Sequence, residues 1–175
     1  MTKSLRWPPP DLRLLEKSLD ELAASIREGP DHRTIDEQAW LTRFLIVRSC
    51  GYLEQVMHRC AMGHLEAKSY GTARSYSLSW LGRSINPSVE NIRSTLGRFD
   101  QNFVDEFEQM LAEQDNELSN DLGALVTKRH AIAHGQSDGL GERRALDLYE
   151  VSKKIADWMI RRLCPDPGWG SSFPR

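Results

Sequence analysis

The stretch from Thr34 to about Ala67 most constrains the fold. Thr34 with Glu37 three residues later has the form of a capping box, so a helix is predicted to start there. Trp40, Leu41, Phe44, Leu45, Ile46, Val47, Tyr52, Leu53, Val56 and Met57 then cover most of its circumference. A helix that is apolar nearly all round is central, and other elements must surround it. Gly51 inside it costs about 1 kcal/mol relative to alanine, which fits close packing against another helix or a tolerated glycine. Arg48 and Glu54, set among these apolar residues, read as ion-paired groups or, for Arg48, a buried stem with a solvated head.

The surrounding elements are helical as well. Asp11 to Arg27 carries Leu12, Leu15, Leu19, Leu22 and Ile26 at helical spacing, and Glu28-Gly29-Pro30-Asp31 stops it. Residues 1–10 read as an irregular arm ending in Trp7-Pro8-Pro9-Pro10. After a turn at Tyr70-Gly71, a short helix from Arg74 to Ser84 is predicted, with Tyr76, Leu78, Trp80 and Leu81. Asn86-Pro87-Ser88 breaks the chain and caps a helix with Val89, Ile92, Leu96 and Phe99 on its apolar side. Phe103 to Glu113 forms another helix, and Asp115 to Ser119 reads as a connector. A loop over residues 137–141 precedes the last helix, Glu142 to Leu163. Ala145, Leu148, Ser152, Ile155, Ala156, Met159 and Leu163 face inward there. Its other face, with Arg143, Arg144, Lys153, Lys154, Arg161 and Arg162, reads mostly as solvated, and residues 164–175 as a loose tail. Strand alternation and internal repeats are absent. The expected fold is an all-α bundle with two long central helices and several short ones, in one domain over residues 11–163.

A net charge of −2 argues against a broad, non-specific nucleic-acid surface, while leaving room for a small basic cleft. Cys50, Cys60 and Cys164 form no CxxC pair, which fits a reducing compartment and a cytoplasmic protein. No apolar run reaches the ~18 residues of a membrane span.

The chemistry concentrates in Lys128-Arg129-His130-Ala131-Ile132-Ala133-His134-Gly135. On a helix, Leu118, Leu122, Leu125, Val126, Ile132 and Ala133 form one stripe, and Arg129 projects into its middle, roughly 20° from Leu118. A guanidinium keeps its charge, so Arg129 must meet a carboxylate, carbonyls, a phosphate-lined cleft or a subunit interface. His130 and His134 follow one turn apart, and Gly135 suits a helix C-cap. A metal pair at these histidines lacks HExxH, a nearby cysteine and an obvious third ligand from His32, His58 or His64, so no metal site is assigned. Phosphate-cradling and dinucleotide glycine motifs are absent, as is a nucleophile elbow. Arg-x(4)-His suits cleavage of RNA: a histidine moves protons at a ribose 2′-OH or leaving 5′-oxygen, while the arginine holds the phosphate. Arg129 and His134 lie about 140° apart on an ideal helix, so they converge only if the helix ends near Gly135 or a second chain completes the site. The same pattern also describes a helix end whose arginine pairs with a buried carboxylate such as Glu54 and whose histidines favour the negative end of the helix dipole.

The sequence resembles the HEPN superfamily, and within it the RiboL-PSP-HEPN group. Arg129, the polar His130, the variable Ala131-Ile132-Ala133, then His134 and Gly135 fill the motif of HEPN ribonucleases, with His130 where the family most often has Asn. Phe44 to Glu54 and Asn86 to Asp100 also resemble the narrower group. The resemblance implies a HEPN-type bundle, a homodimer with the motifs at its cleft, and cofactor-free, metal-independent endoribonuclease activity in toxin or anti-phage systems. It makes His134 the acid/base group, Arg129 with Lys128 the RNA-binding pair, and His130 an orienting or assisting residue. Products would end in a 2′,3′-cyclic phosphate and a 5′-hydroxyl. It also implies RNA as substrate and an antitoxin or other defence-system protein as partner. Some members lack catalysis and act as RNA- or protein-binding modules.

Overall fold

In a computed structural model, residues 7–29, 33–81, 85–113, 115–136 and 139–165 are described. The expectations for residues 1–6, for Pro30, Asp31 and His32, for the end of the Arg74–Ser84 helix, for part of the 137–141 loop and for most of the tail lie outside them. Among the described residues there are seven helices and no strand: α1 Pro10–Arg27, α2 Ile35–Lys68, α3 Gly71–Leu81, α4 Val89–Gly97, α5 Gln101–Ala112, α6 Glu117–Ala133 and α7 Glu142–Arg162. None is long and apolar enough to cross a membrane.

The starts of these helices follow from local chemistry. The Glu37 amide donates to Thr34 Oγ1 at 3.2 Å, and the Thr34 amide donates to the Glu37 carboxylate at 2.7 Å. That is the reciprocal capping box expected at α2. Ser88 accepts from the Asn91 amide to open α4, and Asp100 from the Asn102 amide to open α5. Two expected boundaries move by three residues, while α5 opens at Gln101 rather than Phe103 and others shift by one. α3 begins at Gly71, not Arg74, because Gly71 takes φ +61° and turns the chain directly into the helix. α6 begins within the expected Asp115–Ser119 connector. Asp115 and Asn116 adopt the left-handed conformation, at φ 56° and 63°, which their short polar side chains tolerate, and Glu117 is already helical.

α2 packs most extensively against α7, with α1 along one flank and α6 along the other. Leu45, Ile46, Leu53 and Val56 of α2 and Leu148, Ile155 and Ala156 of α7 are fully buried between them. α2 is not covered all round, however. Trp40 is 66% and Phe44 51% exposed, so its N-terminal half presents an open aromatic face. Periodicity identifies an apolar face without supplying the element that covers it. Arg48 stands over the Phe44 ring and reaches Ser18 of α1.

The charged face of α7 is also less solvated than expected. Lys153 donates to Asp20 at 2.7 Å and pairs with Glu16, while the Tyr149 hydroxyl donates to the same Asp20 at 2.6 Å. Arg144 pairs with Asp121 of α6, and Arg162 with Glu106 of α5. Three of the six cations on that face therefore tie α7 to its neighbours.

The arm is held too. Trp7 is 6% exposed, and its indole N–H donates to the Ile160 carbonyl at 2.8 Å. Nearby, His64 Nδ1 lies 3.0 Å from the Leu163 carbonyl, with the ring edge-on to Phe99 and Phe103. Burial holds its pKa below the ordinary value of 6.5, against the opposing pull of that hydrogen bond. The unfolded chain therefore takes up the proton first as pH falls through 6.5, and stability drops until the folded pKa is passed. Thermal melts from pH 7 to pH 5 should show this loss, and His64→Gln should make the decline shallower.

Candidate functional site

Leu118, Leu122 and Leu125 bury one face of α6, and Val126 and Ile132 pack partly against the core, as the stripe requires. The last turn departs from it: Ala133 is exposed and Ala131 is buried. The helix ending explains the change. Gly135 takes φ +70°, its amide donates to the Ile132 carbonyl at 3.0 Å, and the Gln136 amide donates back to the Ala131 carbonyl at 2.9 Å. These two bonds are a Schellman motif, which folds the chain over Ala131 and leaves Ala133 outside. Gly135 is needed there because a side chain at this φ costs about 1–2 kcal/mol. Gly135→Ala should lower the melting temperature by roughly 2–8 °C, measured by calorimetry, although the added methyl meets no atom within 4 Å.

The cap places the three motif side chains. His134 is the C-cap residue, at φ −94° and ψ 13°. Its ring centroid lies 4.3 Å from that of His130, with the planes inclined by 60°. Both rings are exposed to solvent. Sequence reasoning thus placed the two histidines together correctly.

Arg129 leaves the same helix end on the buried side and is half-buried. Its position is marked by Cys50 of α2. Burial pushes that thiol up to about 11, while the positive charge of Arg129 pulls the other way. Among the described residues, the guanidinium makes no hydrogen bond or ion pair, with Glu54 or any other carboxylate. Lys128 is half-buried beside it. One helix end therefore carries a half-buried guanidinium that, among the described residues, has no carboxylate bonded to it, and two solvent-facing imidazoles in ring contact. Chemically, this suits an anion with labile protons close by. Among the described residues no three His, Cys, Asp or Glu side chains are grouped to hold a metal ion.

The family model of RiboL-PSP-HEPN matches residues 11–164. The chain belongs to the RiboL-PSP-HEPN family. The match runs from α1 through α7 and takes in Arg129, His130 and His134. No curated protein and no solved structure matches the chain. The all-α architecture and the HEPN assignment thus agree.

Two features carry no signal in local spacing: Cys50 of α2, which feels the charge of Arg129, and Arg98, which lines a separate cleft beside Tyr76 and Trp80.

Proposed function

We propose that this RiboL-PSP-HEPN protein is a metal-independent endoribonuclease acting as a homodimer in a toxin or anti-phage system. The observation that carries the reading is the half-buried Arg129, without an ion pair among the described residues, on the same capped helix end as the His130/His134 pair. In the reaction, a histidine removes the ribose 2′-OH proton as the 2′-oxygen attacks phosphorus. The P–O5′ bond breaks, and a second protonated imidazole delivers a proton to the leaving 5′-oxygen. The products are a 2′,3′-cyclic phosphate and a 5′-hydroxyl. Arg129, with Lys128, binds the phosphate and stabilises its developing charge. His134 is the principal acid/base group and His130 assists. An antitoxin or other defence-system protein restrains the activity by occluding the cleft.

A dimer would bring a second motif to the same cleft. Arg129 and His134 would lie about 140° apart on a continuous helix, and α6 ends at Ala133 with His134 as its C-cap, so either that helix end or a second copy turns both toward one phosphate. α2 offers a surface for the second copy. Arg59–Asp11 places α1 on one side, and Cys50, which feels the charge of Arg129 on the packed α6, places α6 on the other. The face between them holds Trp40, Phe44, Val47 and Gly51, and a methyl on Gly51 would meet nothing within 4 Å. Two exposed aromatics beside an open glycine suit a two-fold contact between copies.

The test is cleavage of a mixed RNA pool by pure protein in EDTA, with product ends mapped. Cyclic-phosphate ends, made in EDTA and lost in His134→Ala, support the proposal. A need for added metal overturns the mechanism. Stable RNA binding without cleavage of any RNA favours a non-catalytic HEPN binding module.

A further inference from the structure

α3 is unusual in this bundle because none of its residues is buried. It packs on the C-terminal part of α2 and carries Tyr76 and Trp80, 65% and 62% exposed, with ring centroids 6.1 Å apart. Large aromatics four positions apart on an otherwise solvated helix contribute nothing to the core. They do form one wall of a cleft of about 400 Å³. Leu65 and Phe99 supply an apolar base, Ser77 a hydroxyl, and Arg98 a cation at the edge. Among the described residues, the Arg98 guanidinium makes no hydrogen bond or ion pair.

Charge identifies the occupant. Residues 67–89 contain Lys68, Arg74 and Arg83 and no Asp or Glu, in a chain whose net charge is −2. Arg74 lies 3.8 Å from Glu66, a long pairing at a half-exposed surface. This is a local cationic stretch with aromatic side chains and a row of hydroxyls: Ser69, Ser75, Ser77 and Ser79. Exposed rings interleaved with cations suit unpaired bases, since every base has a π-face and every linkage a phosphate. A duplex keeps its bases stacked internally and offers the rings nothing comparable.

We propose that the cleft between α3 and the turn after α4 binds a base of single-stranded RNA, stacked on Trp80 with the inclined Tyr76 ring at its edge, and with Arg98 on the adjoining phosphate. The inference rests on RNA being the substrate and deepens that reading by adding a strand-holding site away from Arg129 and His134. Cys50, which feels the charge of Arg129, and Leu65, in the cleft, are separated along α2 by about 22 Å. A strand touching both sites must therefore extend over several nucleotides. The site would favour unpaired stretches over duplex.

The test is fluorescence anisotropy with a labelled 20-nucleotide single strand and the matching duplex. The full chain carries His134→Ala so that the strand survives. Adding Trp80→Ala should weaken single-strand binding about tenfold and leave duplex binding unchanged, whereas Trp80→Phe retains most of the affinity. Arg98→Gln should weaken binding and lower the salt slope by about one. These side chains are exposed, so folding is checked simply by the melting curve. Unchanged single-strand affinity in both Trp80→Ala and Arg98→Gln overturns the proposal, and it leaves the nuclease reading intact if the wild type still cuts RNA. Loss of self-association in Trp80→Ala, without a change in RNA affinity, assigns the cleft to contact between copies and also overturns it. Absence of both RNA binding and RNA cleavage removes this proposal together with the nuclease.

Discussion

His134→Ala is expected to lower RNA cleavage by about 10²- to 10⁴-fold, the range that general acid–base catalysis contributes. The His134 ring is exposed, so the loss should come without a comparable loss of stability. Arg129→Ala should be similarly severe, because a desolvated guanidinium on the phosphate acts mainly where charge develops in the transition state. The more discriminating experiment mixes the two inactive variants. If one site draws Arg129 from one chain and His134 from the other, a heterodimer of the two variants has one ruined site and one intact site. A random mixture should then recover roughly a quarter of wild-type activity in a two-fold dimer. If each chain carries its own complete site, mixing recovers nothing. Recovery would establish that the partner, not the helix ending at Gly135, brings Arg129 and His134 to one phosphate. Failure to recover, with each homodimer inactive, would place both side chains on one phosphate within a chain and remove the structural reason for dimerisation. The pH profile gives a second check. With one imidazole as base and another as acid, cleavage should be bell-shaped, and His130→Ala should flatten one limb.

The Arg-x(4)-His motif is legible because every part of it is local. Arg129, His130 and His134 lie within two turns of one helix, and Gly135 announces the end of that helix through a conformation other residues resist. The same holds for the Thr34/Glu37 capping box at the start of α2. What escaped was set by distant partners. Lys153 read as a solvated surface cation because Asp20 and Glu16 lie more than a hundred positions away on α1. Trp40 and Phe44 read as core because periodicity counts apolar residues but does not know which face a neighbouring helix will cover. The start of α6 was missed because Asp115 and Asn116 mark a turn by composition, yet here they turn the chain within two residues and hand it straight to a helix. The proposed second copy would be the extreme case, since a single sequence carries no direct record of what it packs against.

Trp7 is the clearest instance of this non-local control, and its removal should have the largest effect on stability. It sits in a proline-flanked arm with no periodicity, which is why the arm read as irregular. In the fold its ring is buried against α2, and its indole N–H satisfies the Ile160 carbonyl of α7. The arm thus joins the two longest helices. Trp7→Ala removes the ring, leaves a cavity and strips Ile160 of a donor, at a cost of about 3–5 kcal/mol. That is a large share of the ~5–15 kcal/mol that holds a domain folded, and urea titration should show it as a lower midpoint. Gly63 makes the contact testable by its sign. A Cβ at Gly63 would lie 2.7 Å from Trp7 Cζ3, so Gly63→Ala in the intact protein must displace a wedged, hydrogen-bonded ring and should cost about 1–3 kcal/mol. Once Trp7 is gone the clash is gone, and the same change should stabilise α2 by up to ~1 kcal/mol through helix propensity. A reversal of sign between the two backgrounds is the signature of direct packing between Trp7 and Gly63. If Gly63→Ala has the same effect with and without Trp7, the ring does not rest on that glycine, and the arm is not what couples α2 to α7.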